Sequence, residues 1–210
     1  GYGLTEATCL VSCNPVDGLK KVGSVGIPLP YTHVRILHHD DAGNVRECPT
    51  DVVGEICVAN PGVFPGSTYT EADKNHKLFA EDIYLRTGDL GRLDSDGYLW
   101  ITGRAKDLII RGGENIFPKE IEDCLYGHPA LLEAAVVGGP DPVLGEVPEA
   151  FVAAKPGTQV SEAELVEHCR AGLARYKVPE RIHVREELPK NSVGKLVKGQ
   201  LRDELRQVAR

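Results

Sequence analysis

The sequence has no methionine, a single tryptophan and only four phenylalanines among its 210 residues. A natural chain starts with Met unless it is processed, and this one opens on Gly1-Tyr2-Gly3, so the expectation is a fragment whose parent polypeptide extends upstream. No stretch approaches the ~20 apolar residues that cross a bilayer, and the amino terminus lacks a basic-then-apolar leader. A cytoplasmic location is the resulting default. Positive charge is also short, with 24 Lys and Arg against 31 Asp and Glu and a formal net charge of -7. That balance gives no general attraction for nucleic acid or anionic membranes, while leaving room for a local anion site. The six cysteines, at positions 9, 13, 48, 57, 124 and 169, form no CxxC pair and no histidine cluster at zinc-ligand spacing. They are predicted to be reduced thiols, mostly buried.

What is present, 41% hydrophobic and 26% charged residues, suffices for two modest domains. The first half reads as strands: Thr32 to Leu37, Val52 to Ala59 after the turn signal Asp40-Asp41-Ala42-Gly43-Asn44, and a hairpin of Leu90–Leu93 with Tyr98–Thr102. In that hairpin Asp96-Gly97 is expected to supply the positive-φ positions. The second half brings Leu108-Ile109-Ile110, a tight Gly112-Gly113 loop, then a helix with Pro118 at its first turn and Gly127 near its end. Leu132–Val137 and Glu149–Ala154 are further strands. Ser161 to Glu164 is a capping box for a helix through about Ala174, with Leu165, Val166, Cys169 and Leu173 on one face. A last helix, Leu196 to Val208, stripes Val197, Leu201 and Leu205, and its Lys and Arg residues read as a solvated face. The fold class that follows is α+β: a β-rich region over residues 1–105, then a small α+β domain over residues 106–210.

Four stretches concentrate chemistry. Gly1-Tyr2-Gly3-Leu4-Thr5-Glu6 offers an aromatic for a base, a hydroxyl for a phosphate and a carboxylate for Mg²⁺, a hard cation that prefers oxygen. Tyr84-Leu85-Arg86-Thr87-Gly88-Asp89 ends in a carboxylate whose two acceptor oxygens suit paired ribose hydroxyls, or a turn. Gly103-Arg104-Ala105-Lys106-Asp107 and Arg111-Gly112-Gly113-Glu114-Asn115 set charges around a glycine pair that lets a ligand approach the backbone, or forms a linker and turn. Leu188-Pro189-Lys190-Asn191-Ser192-Val193-Gly194-Lys195 carries a lysine fit to reach a phosphate, or merely to face water.

In order and spacing these segments, from GYGLTE through YLRTGD and GRAKDLIIRGGENIFPKEIE to PKNSVGK, resemble the acyl-adenylate-forming enzymes. That superfamily holds acyl-CoA synthetases, luciferase-like proteins and the adenylation domains of nonribosomal peptide synthetases, and the likeness covers essentially the whole chain. The resemblance implies that Tyr2 flanks the adenine, Thr5 contacts the α-phosphate and Glu6 helps hold Mg²⁺. It further implies that Asp89 receives the ribose hydroxyls, with Arg104 supporting the same region, and that Lys195 stabilises the charge developing on the reacting carboxylate and α-phosphate. Lys106 would be the hinge of the small domain, and Arg111, Gly112 and Gly113 would line the passage of coenzyme A.

RGGENIFPKEIE looks like the acyl- and aryl-CoA synthetases more than the peptide synthetase domains. The implied partners are a small-molecule carboxylic acid, ATP and CoA, with Mg²⁺, and no nucleic acid. Nothing matches the Gly/Ser/Thr-rich phosphate loop with its lysine, and most of the acyl pocket lies upstream in the family, so the chain alone is expected to be inactive. The acid stays open among fatty, aromatic, dicarboxylic and short-chain classes, as does the oligomeric state. In relatives the lysine matching Lys195 is a target of reversible acetylation, which removes its charge. Two rivals remain at this stage: a non-catalytic interaction or regulatory module, and an adenylating enzyme that loads a carrier protein.

Overall fold

A computed structural model describes residues 1–208 apart from Asp41, Gly43, Ser67, His76 and Lys77. The chain divides into two compact units, Gly1–Lys106 and Asp107–Arg210.

The first unit is β-rich. A two-stranded ladder, β1 (Ser12–Cys13) with β2 (Ile27–Pro28), stands beside a six-stranded sheet. That sheet contains β3 (His33–His39), β4 (Val45–Glu47), β5 (Gly54–Ala59), β6 (Phe79–Ala80), β7 (Tyr84–Leu93) and β8 (Leu99–Arg104), all antiparallel in the order β4-β3-β5-β7-β6 with β8 on β7. One helical turn, α1 (Ala72–Asn75), precedes β6. Period-2 alternation sends successive residues to opposite faces. Ile36, Ile56, Val58, Leu85 and Leu99 therefore join Tyr2, Ala7 and Val11 in the main core, while Leu37, Cys57 and Ala80 form a smaller cluster of their own.

The second unit is α+β. Strands β9 (Ile109–Arg111) and β10 (Glu114–Ile116) form a hairpin; β11 (Leu131–Asp141) and β12 (Gly145–Ala154) form a longer one; β13 (Arg181–Arg185) lies parallel to β12. Helices α2 (Pro118–Tyr126) and α3 (Glu162–Gly172) pack Ile121, Leu125, Leu165 and Cys169 with Ala134, Val136, Ala150 and Val152. The alternate residues Ala135, Val137, Phe151 and Ala153 pack instead with Leu201 and Leu205 of α4 (Lys198–Val208). The central hairpin is thus buried on both faces, and its Phe151 has no solvent exposure. Truncating such a ring to Ala costs ~3–5 kcal/mol.

Several sequence expectations need correction. Only Cys57 and Cys169 are buried; Cys9 is exposed and Cys13, Cys48 and Cys124 are partly so, because four of the six sit in loops, on short strands or on helix flanks rather than on core faces, and all six are free. In the β7–β8 turn Gly97 alone has positive φ, at 78°. Asp94 Oδ1 there accepts the amides of Asp96 and Tyr98, each at 3.0 Å, and that side-chain turn replaces the expected Asp-Gly geometry. Gly112 and Gly113, at φ 58° and 91°, close a two-residue β-hairpin rather than a strand-to-helix loop. The basic residues of α4 are not all solvated: Lys198 pairs with Glu122 at 2.6 Å and Arg202 with Asp107. Val197 precedes that helix. Of the turn at residues 40–44, Asp41 and Gly43 lie outside the described residues, while Asp40 Oδ1 accepts the Asn44 amide at 2.8 Å. The Ser161 cap does form, its Oγ accepting the Glu164 amide at 3.2 Å. Among the described residues no helix is long and apolar enough to cross a membrane.

Candidate functional site

In the first unit the site is built on an irregularity of β7. Glu55 pairs with Leu90 and Cys57 with Arg86, so Thr87, Gly88 and Asp89 all stand opposite Ile56 alone. Such a bulge re-aims a side chain. Gly88 takes φ 70°, a conformation cheap only for glycine. Thr87 Oγ1 donates to the Ile56 carbonyl at 2.8 Å and accepts the Asp89 amide at 3.1 Å.

Asp89 is thereby fixed with its residue only 6% exposed. Its Oδ2 accepts the Tyr2 hydroxyl at 2.7 Å, and its Oδ1 accepts Arg104 Nε at 2.9 Å from the partner position on β8. Tyr2 is not on a loose loop: its backbone bridges Ser12, and its ring lies in the unit's main core. Burial, reinforced by the Asp89 carboxylate, pushes its hydroxyl far above the usual tyrosine range.

Glu6 lies in the short 3-10 turn Thr5–Ala7. Its Oε1 accepts the Tyr69 hydroxyl at 2.6 Å, and that bond, with help from backbone and from the Arg104 charge, holds the carboxyl below its ordinary range. Tyr69 is set in turn by Asn75, whose side chain accepts the Tyr69 amide at 2.9 Å and donates to its carbonyl at 2.8 Å. Thr5 is exposed and lines an open pocket of about 540 Å³ with Gly3, Leu4, Thr8 and Cys9. Tyr2, Asp89 and Arg104 are thus joined by hydrogen bonds, and Glu6 lies within electrostatic reach of Arg104, whose side chain is 57% exposed. Tyr69 and Thr87 complete the group. The first had no motif to mark it, and the second lay unremarked inside one.

One further cluster of this unit was invisible in sequence spacing. His39, Glu55 and Cys57 bring donor atoms within 4.8 Å of one another. It is a poor cation site. Glu55 Oε2 already takes Arg86 Nε at 2.9 Å and a second guanidinium nitrogen at 2.8 Å, while burial pushes the Cys57 thiol up to about 12. An ion would have to displace a guanidinium and strip a reluctant proton. His39 Nε2 is 3.3 Å from Glu55 Oε2 but too poorly aligned to be hydrogen-bonded.

In the second unit, the Gly112 amide donates to the Leu144 carbonyl at 2.8 Å, tying the glycine turn to the β11–β12 loop. Arg111 also lines a groove of about 910 Å³ with Arg170, Arg175, Tyr176, Val166 and Leu173. Arg170 pairs with Glu167, whereas Arg111 and Arg175 make no ion pair among the described residues. Lys195 closes a compact loop in which Asn191 Oδ1 accepts the amides of Val193 at 3.1 Å and Lys195 at 2.8 Å. Lys190 anchors that loop to Glu133 at 2.7 Å. The Lys195 side chain is exposed and unpaired among the described residues, as is that of Lys106 in the short turn Ala105–Asp107.

Residues 1–68 match the family model of the AMP-binding enzyme, and residues 120–195 match that of the AMP-binding enzyme C-terminal domain. The chain is 44% identical over 200 residues to a marinolic acid–CoA ligase of Pseudoalteromonas sp. (strain SANK 73390), covering 94% of this chain and 30% of the relative. It is 41% identical over 206 residues to a long-chain-fatty-acid–CoA ligase of Escherichia coli O6:H1, covering 98% of this chain and 36% of the relative. Among solved structures, ATP-bound MatB from Rhodopseudomonas palustris matches with a TM-score of 0.89 at 35% identity, over 100% of this chain and 41% of that one. The chain spans about a third of the length of the curated relatives it matches. It belongs to the acyl-adenylate-forming AMP-binding enzymes and carries their C-terminal domain.

Proposed function

We propose that this chain works within an AMP-forming acid–thiol ligase. In the first half-reaction a substrate carboxylate oxygen attacks the α-phosphorus of ATP, the bond to the β-phosphate breaks and pyrophosphate leaves. In the second, the CoA sulfur attacks the acyl carbon, the acyl–phosphate bond breaks and AMP leaves. The observation that carries the reading is the convergence of Tyr2, Glu6, Asp89 and Arg104, from three separate stretches of sequence, in one neighbourhood.

In this reading Asp89, braced by Tyr2 and Arg104, keeps lone pairs for the ribose hydroxyls. Thr5, exposed at the open pocket, offers its hydroxyl to the α-phosphate, and Tyr2 borders the base. Glu6 is held ionised and only half-buried, which fits Mg²⁺, an ion content with one or two carboxylates when phosphates complete its shell. Bound there, the ion would neutralise phosphate charge. The exposed Lys195 ammonium supplies positive charge where the carboxylate and α-phosphate react. Lys106 serves as the hinge residue of the C-terminal domain. Gly112 and Gly113 give the thiol arm a side-chain-free passage, and the guanidinium groups of Arg111 and Arg175, which line one groove, suit the phosphates of CoA.

The test is to incubate the full-length polypeptide containing this chain with ATP, Mg²⁺, CoA and a panel of fatty, aromatic, dicarboxylic and short-chain acids. Equimolar AMP and acyl-CoA from at least one class is expected, and none from the isolated chain, which has no counterpart of the phosphate loop. Turnover only with a phosphopantetheinyl carrier protein would replace CoA as acceptor. Failure to release pyrophosphate with any acid would reject adenylation itself.

A further inference from the structure

Glu55, the second residue of β5, is 9% exposed between the buried Gly54 and Ile56. Burying an ionised carboxylate costs several kcal/mol unless partners compensate it, so its partners identify what it does. One oxygen takes the Arg86 guanidinium through two nitrogens at 2.9 and 2.8 Å, with His39 Nε2 nearby at 3.3 Å but not hydrogen-bonded to it. The other accepts the backbone amide of Gly88 at 3.2 Å. Gly88 sits inside the bulge, where the β5–β7 ladder runs out of register and strand carbonyls no longer meet its amide. Two side chains stand in for the missing ladder: Thr87 toward Ile56, and Glu55 toward Gly88. Arg86 and Gly88 flank Thr87, so Glu55 grips the bulge on both sides, one residue short of Asp89.

We propose that Glu55 is a positioning residue for the nucleotide ribose, its carboxylate clamping the Arg86–Gly88 bulge so that Asp89 is held toward Tyr2 and Arg104. This rests on the reading that Asp89 receives the ribose hydroxyls. Glu55 itself touches no substrate. Its effect is on which nucleotide the site accepts, because a mis-aimed Asp89 loses its bonds to the hydroxyls and to nothing else on the nucleotide.

The experiment compares kcat/KM for ATP and for 2′-deoxy-ATP, with thermal midpoints, in the full-length polypeptide and its Glu55→Ala, Glu55→Gln and Asp89→Ala variants. A charged hydrogen bond to a hydroxyl is worth about 10-fold or more in discrimination. Glu55→Ala is expected to lower the ATP preference by about 10-fold, whereas Glu55→Gln, which keeps an oxygen for the Gly88 amide but turns its NH2 on the Arg86 guanidinium, should lower it less. If Glu55→Ala fails to fold, Glu55→Asp, which keeps the charge for Arg86 but withdraws the oxygen from Gly88, carries the same expectation. A purely structural residue would depress both nucleotides equally, and an unchanged ratio in Glu55→Ala or Glu55→Asp overturns the proposal. So does a Glu55→Gln ratio as low as that of Glu55→Ala. Asp89→Ala separates the two layers: if it leaves the ratio untouched, the ribose reading fails, whatever Glu55 does.

Discussion

The Tyr2 hydroxyl donates to Asp89 Oδ2 at 2.7 Å across 87 residues of chain, joining the first motif of the sequence to its second. Both groups are buried, and Arg104 occupies the other carboxylate oxygen at 2.9 Å. A carboxylate held from two sides loses little freedom when a ligand arrives, which is the physical content of preorganisation. The tyrosine ring packs in the core of the unit, so its hydroxyl can be removed with little loss of packing.

Tyr2→Phe tests that link. The variant is expected to cost about 1 kcal/mol of stability, the usual worth of one hydrogen bond. It should also weaken AMP binding by the full-length polypeptide roughly 3- to 10-fold. Calorimetric titration with AMP and a thermal melt read both. Unchanged affinity beside a lowered midpoint would leave the hydroxyl a structural role only.

Lys195→Ala separates the two half-reactions. The lysine is exposed and, among the described residues, unpaired, so its loss should leave the fold intact. Removing one charge aimed at a developing anion commonly costs ~10²–10³-fold in rate. Pyrophosphate release should fall by about that factor, while thioester formation from preformed acyl-adenylate falls far less. Equal losses in both would move Lys195 out of the adenylating step.

The sequence made legible whatever rests on local chemistry. Alternating apolar residues marked β5, Ser161 marked the start of α3, and Gly112-Gly113 marked a reversal, because each acts over a few bonds. The candidate site was legible as far as motif residues go: Tyr2, Glu6, Asp89 and Arg104 were named before their proximity was visible. Tyr69 and Glu55 were not, and Arg86 lay unremarked inside a motif, since their roles arise from strand register and from pairings 31 to 63 residues distant in sequence. A signal for Glu55 did exist, in a lone acidic residue within an otherwise apolar strand. The α4 basic residues misled for the converse reason, because helical spacing shows which face they occupy but not that Glu122 and Asp107 wait there.

Gly113→Val addresses the glycine turn. A Cβ at Gly113 meets nothing within 4 Å, yet the φ of 91° strains any β-branched residue. The variant should lower the thermal midpoint and should slow acyl transfer to CoA more than pyrophosphate release. Gly113→Asn is the control, since Asn tolerates positive φ better while still adding a side chain to the passage. A transfer defect in Val that vanishes in Asn would assign the effect to strain rather than to blocking of the thiol arm.

Asp94 is expected to contribute to the acid stability of the first unit. Burial works against its charge, but bonds from Lys21 at 2.6 Å, Trp100 Nε1 at 2.9 Å and the amides of Tyr98 and Asp96 outweigh that, holding the carboxyl well below its ordinary range. A depressed folded-state value means that the stabilisation is complete above the unfolded carboxylate pKa and is lost as pH falls through the lower folded one. Asp94→Asn can keep an acceptor for the turn amides while removing the charge that faces Lys21 and the second oxygen that accepts the indole N–H. The variant should melt several degrees lower at neutral pH. Its midpoint should also fall less steeply than that of the parent as acid is added below the usual carboxylate range, so that the two curves converge. Midpoints measured from neutrality down to strong acid check this, and parallel curves over that window would remove the Asp94 charge as the cause.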